Sequence, residues 1–114
     1  MESFAEVCRI AYYEGVTPSN SLSQCNKTYK KLVNLAKTDF NNGRYTEFAG
    51  GFLEGEYFVF LWVAHMLLEY GKPNNELIDI CLKVIENHST NLLEKEVAME
   101  EEEWLKINLA KYKR

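Results

Sequence analysis

The sequence predicts an all-α fold: a single antiparallel helical bundle of four to five helices occupying residues 1–114. Three observations lead there. Apolar residues recur at three- and four-residue spacing along most of the chain; no stretch sustains the two-residue alternation of a strand; and clusters of Gly, Pro, Asn and Ser punctuate the periodic segments. Connections of about three to five residues imply antiparallel neighbours. A short stack of helix pairs of the tetratricopeptide kind is the alternative architecture, but no self-similarity at about 34 residues supports it.

The first helix is expected from about Glu2 to Glu14, with Phe4, Val7, Cys8 and Ala11 on one face and Gly15 as its left-handed stop. Thr17-Pro18-Ser19-Asn20 is a turn cluster that offers N-caps to a second helix running to about Asn42. That helix carries the stripe Leu22, Cys25, Tyr29, Leu32, Val33, Ala36 and Phe40 and ends at Gly43. A third helix is expected over about Thr46 to Tyr70. It is apolar on nearly every side from Tyr57 onward, which marks the element around which the others pack. Gly50, Gly51 and Gly55 in its first half point to close approach of another backbone, a kink, or a true break near Gly50-Gly51, with close packing preferred.

Gly71-Lys72-Pro73-Asn74 stops that helix. A fourth follows from about Asn75 to Asn87, burying Leu77, Ile78, Cys81, Leu82 and Ile85. Ser89-Thr90 caps the last, about Asn91 to Lys111, with Leu93, Val97, Trp104 and Ile107 at near-helical spacing and Trp104 assigned to the core. Lys106, Lys111, Lys113 and Arg114 sit toward its negative end.

With 46% hydrophobic and 13% aromatic residues, only two prolines and six glycines, the chain is a folded domain rather than a disordered or linker-rich one. Its net charge of −4 argues against a general nucleic-acid binder. The longest apolar stretch, Tyr57 to Leu68, falls short of the roughly 18–20 residues that span a bilayer, so no membrane partner is expected. The opening Met-Glu-Ser-Phe-Ala-Glu lacks the positive charge of a signal peptide. Cys8, Cys25 and Cys81 show no CxxC spacing and fall on apolar stripes as packing residues, which suits a reducing cytoplasm.

Catalytic and metal chemistry find little support. The histidines are His65 and His88, without HExxH or Glu-x-x-His, and there is no GxSxG, P-loop or GxGxxG. No enzyme, cofactor or metal is expected. One polar line merits notice: Glu47, Glu54, His65 and Glu69 lie discontinuously along one side of the greasy third helix, as a buried polar site or a solvent-facing edge.

Charge says more. Residues 94–103 hold six acids against Lys95, and Glu100 to Glu103 span a full helical turn, so at least one of them must face the apolar side of the bundle. Repulsion among these acids is offset by Lys27, Lys30, Lys31 and Lys37 of the second helix or by a basic partner. Residues 44–91 carry three bases and seven acids, the largest local surplus of negative charge. Such a patch steers a basic protein.

The expected function is therefore non-catalytic protein binding. The leading expectation is a small acidic immunity protein or antitoxin that neutralises a basic toxin, such as a nuclease, by stoichiometric binding. Glu94, Glu96, Glu100, Glu101, Glu102 and Glu103 supply the charge, and Tyr12, Tyr13 and Tyr112 the anchors. The alternative is a helical adaptor or regulatory subunit holding a peptide or helix in a groove beside Gly50, Gly51 and Gly55. The oligomeric state is left open.

Overall fold

The computed structural model describes residues 3–112, and among these every regular element is helical. Six α-helices follow in order: α1 (Phe4–Glu14), α2 (Lys27–Asn41), α3 (Tyr45–Ala49), α4 (Val59–Tyr70), α5 (Asn75–Ser89) and α6 (Lys95–Tyr112). Short 3-10 turns occupy Ser21–Cys25 and Gly50–Leu53. The helical bundle is as the periodicity predicts, with six helices instead of four to five. The expected start at Glu2, the terminal Lys113 and Arg114, and the side chain of Leu22 lie outside what is described.

Local chemistry sets the helix ends. The Ser3 hydroxyl accepts from the Glu6 amide at 3.2 Å and opens α1, while Gly15, at φ 75°, closes it in the left-handed conformation. Asn26 caps α2 by accepting from the amides of Thr28 and Tyr29, and Asn74 caps α5 by accepting from Leu77. The cap of α2 is thus Asn26 and not the Thr17–Asn20 cluster. The 3-10 turn before it leaves Cys25 exposed, which corrects its expected place on the buried stripe.

α4 is the centre. Every residue from Leu61 to Leu68 is buried, and the helix packs on α1, α2 and α5, with α6 laid against α5. The buried side chains form one cluster to which α1, α2, α3, α4, α5 and α6 all contribute. At 12 residues α4 is short, and among the described residues no helix is long and apolar enough to cross a membrane.

The continuous third helix expected over Thr46 to Tyr70 is broken. After α3 the chain tightens into the Gly50–Leu53 turn, leaves helical geometry, and passes through Tyr57 and Phe58, both left-handed at φ 55° and 58°. Gly51 explains the fold-back. A Cβ there would stand 2.6 Å from Val63 Cγ2, so only a residue without a side chain lets this turn lie on α4. α3 ends at Ala49, which is the break expected near Gly50-Gly51, and the close approach at Gly51 is to the Val63 side chain and not to another backbone. Gly50 and Gly55 have open space around them.

Candidate functional site

Two of the four acids in the Glu100–Glu103 turn face inward, and the Thr17–Asn20 segment receives both. Glu101 on α6 is fully buried, as is His65 on α4, and Glu101 Oε1 lies 2.5 Å from His65 Nε2. Ser19 donates its hydroxyl proton to the second oxygen of Glu101, and its oxygen also lies 3.0 Å from His65 Nε2. On the other side of the ring, His65 Nδ1 is 3.1 Å from Glu69 Oε2, one helical turn along α4. The neighbouring Glu100 accepts from Thr17 Oγ1 at 2.6 Å and from Asn20 Nδ2 at 3.1 Å. Trp104 closes the cluster, its ring set edge-to-face on His65 at 4.7 Å.

Burial by itself pushes the His65 imidazole down. The Glu101 charge and hydrogen bond, joined by those of Glu69, outweigh that and lift it to about 9. At neutral pH the ring therefore carries protons on both nitrogens and donates from each. Hydroxyl, imidazole and carboxylate stand in the order found in a nucleophilic triad. Yet the imidazole is already charged and the serine proton already belongs to Glu101, so this ring is not a free base for Ser19. The cluster is an ionic clasp that ties α6 to α4 and to the segment between α1 and α2. Among the described residues no group of three or more His, Cys, Asp or Glu side chains is arranged to hold a metal ion.

Of the polar line expected along the third helix, His65 and Glu69 are paired in the clasp. Glu47 and Glu54 are exposed and stand apart, because the chain breaks between them and α4. His88 is buried between the rings of Phe58 and Phe60, and burial pushes it down.

Outside the clasp, residues distant in sequence meet at one end of the bundle. Tyr12 and Tyr13, at the end of α1, pack with Tyr57 at ring-centroid distances of 5.4 Å and 6.0 Å, and Tyr12 also touches Phe58. The left-handed pair Tyr57-Phe58 delivers both rings to this cluster. Glu56 and Glu94 border it, and Leu92 and Leu93, 80% and 92% exposed, lie beside Tyr12. Arg9 lies on the outer edge with Tyr13.

No family model, curated protein or solved structure matches the chain. The functional reading therefore rests on the geometry.

The acids expected to meet a partner separate into three groups. Glu94, Glu96, Glu102 and Glu103 are exposed; Glu100 is half-buried and engaged by Thr17 and Asn20; Glu101 is withdrawn into the core, which corrects its expected place on the surface. Tyr12 and Tyr13 are exposed beside Glu94. Tyr112 lies apart from them and is a latch: its hydroxyl donates to the Leu68 carbonyl and its ring stacks on Trp104. The roles of Thr17, Ser19 and Asn20 were not legible beforehand, since capping accounted for the same residue types.

Proposed function

We propose that this chain is a non-catalytic binding protein for a basic protein partner, of the small acidic inhibitor kind: an immunity protein or antitoxin that neutralises a basic toxin domain, such as a nuclease, by one-to-one association. The observation that carries this reading is the aromatic end. Three tyrosines from two separate segments converge there beside Glu56 and Glu94, and exposed Leu92 and Leu93 extend the apolar area. Tyrosines with an apolar body and a polar tip are the side chains that anchor interfaces, and flanking carboxylates accelerate encounter with a cationic surface. A nuclease is cationic where it meets phosphate, so an acidic surface competes for the same region.

The reading is tested by recovering the tagged chain from its native cells at low and high salt and identifying what accompanies it. A basic domain held one-to-one, weakened by salt, released by Tyr13→Ala and by Glu94→Lys, and rendered harmless on co-expression supports it. A large neutral assembly, or no companion at either salt concentration, removes it. For the adaptor alternative, Gly51 is covered by Val63 while Gly50 and Gly55 have open space around them. A groove does exist elsewhere, along α6.

A further inference from the structure

The groove runs between α6 and the segment from Pro18 to Gln24 and encloses about 720 Å³. Its α6 wall places Met99, Glu103 and Ile107 four residues apart, one above the other on a single face. Met99 is 70% and Ile107 66% exposed, although both line a concavity backed by the buried Trp104. Scattered exposed apolar residues are ordinary on a surface; two on one helical line, facing a groove with an aromatic back wall, form a cleft for apolar side chains.

The charge of the groove is one-sided. Glu69, Glu96, Glu100 and Glu103 line it, and no Lys or Arg is among its described lining residues. Of the bases on α6, Lys106 has its ammonium 3.5 Å from Glu102, Lys111 donates to the lining Asn108 at 3.1 Å and Lys95 directly precedes the lining Glu96, so the bases border the two ends of the α6 wall and the acids occupy its length. From Glu96 to Ile107 the wall extends about 16 Å at the helical rise, the length of about three turns.

We infer that this groove binds a basic amphipathic helical segment of a partner protein. Aliphatic anchors pack against Met99 and Ile107 beside Trp104, a Lys or Arg between them reaches Glu103, and a second base beyond Met99 reaches Glu96. Apolar anchors at helical spacing supply affinity in such helix-in-groove recognition, and the complementary flanks supply orientation and choice of partner. This surface adjoins the tyrosine end at Asn20, Glu96 and Glu100, but Met99, Trp104 and Ile107 belong to the groove alone, and it does not rest on the toxin-inhibitor reading.

The test uses the full chain and three synthetic helical peptides. The first carries two leucines eight residues apart on one face, with a lysine midway between them and an arginine beyond; the second keeps the leucines with glutamates in place of the bases; the third keeps the bases with serines for leucines. Trp104 borders the groove while Trp62 is fully buried, so intrinsic fluorescence reports occupancy. The first peptide is expected to saturate at one per chain, and both others to bind at least tenfold more weakly. Ile107→Ser and Glu103→Lys, both at exposed positions, should each weaken the first peptide about tenfold with an unchanged urea midpoint, whereas Tyr13→Ala should leave it unaffected. Equal binding of the acidic or the serine peptide overturns the inference, as does an absence of saturable binding. Concentration-dependent dimerisation abolished by Ile107→Ser also overturns it, because a second copy of this chain would then be the occupant.

Discussion

Glu101 and His65 are 36 residues apart in sequence, both fully buried, and joined through Oε1 and Nε2 at 2.5 Å. A buried charge is tolerated only when it is paired and its remaining hydrogen-bonding capacity is used. Here the second carboxylate oxygen takes the Ser19 proton, and the second ring nitrogen has Glu69.

Removing one member strands the other. Glu101→Ala should cost about 3–5 kcal/mol, while the exposed Glu102→Ala should stay within about 0.5 kcal/mol. The double replacement His65→Leu/Glu101→Leu should recover much of the loss, since an apolar pair of similar volume often substitutes for a buried ion pair. Urea denaturation of the four proteins checks this, and a double variant as unstable as the single would count against the clasp.

The clasp also makes a signed prediction about pH. His65 is raised from about 6.5 to about 9 in the folded chain, so its contribution is full below about 6.5 and disappears as pH rises through about 9. The stability margin of the natural chain over His65→Leu/Glu101→Leu, which leaves no stranded carboxylate, should therefore shrink between pH 6.5 and 9. A margin that widens over that interval, followed by denaturation at stepped pH, would contradict a charged imidazole.

Gly51→Ala should destabilise, because the added methyl meets Val63, a β-branched side chain with little rotamer freedom and a buried position. Overpacking of this kind costs about 1–3 kcal/mol. Gly50→Ala, with open space around it, should change stability little or raise it, and thermal melts of the two separate packing from backbone effects.

Tyr57 spends conformational energy to hold its ring beside Tyr12 and Tyr13. Glycine adopts φ 55° without that cost, so Tyr57→Gly should lose little stability while weakening the proposed basic partner severalfold. Tyr112→Phe is the opposite case. It removes the hydrogen bond to Leu68 and about 0.5–1.5 kcal/mol, with partner binding unchanged. Paired denaturation and binding titrations distinguish the two.

Most of the fold was legible from period and punctuation. The stripes through Val7, Cys8 and Ala11, through Tyr29 to Phe40 and through Cys81 to Ile85 are buried as their spacing requires. The third helix was expected to be continuous although Gly50, Gly51 and Gly55 marked a possible break; the contact of Gly51 with Val63, which no helical period contains, goes with the fold-back. The Glu100–Glu103 run announced that an acid must turn inward, and the geometry of one full turn was sufficient for that. Which acid, and that His65 and Ser19 would receive it, depends on how α6 crosses α4. A single helix's pattern does not contain that relation. Tyr12, Tyr13 and Glu94 could be named separately, but their meeting depends on the left-handed step at Tyr57-Phe58, which no local signal demands.

The bond between Ser19 and Glu101 spans 82 residues of chain, and the bonds of Glu100 to Thr17 and Asn20 span 83 and 80. Closing so long a loop directly is entropically unfavourable, and packing of the intervening helices shortens it beforehand. The clasp is therefore expected to close after those helices have packed, which a slower folding phase lost in Glu101→Ala would report. In the finished molecule α6 is thus held twice, by its packing on α5 and by its tie to the segment after α1, so loosening either element is felt by the other.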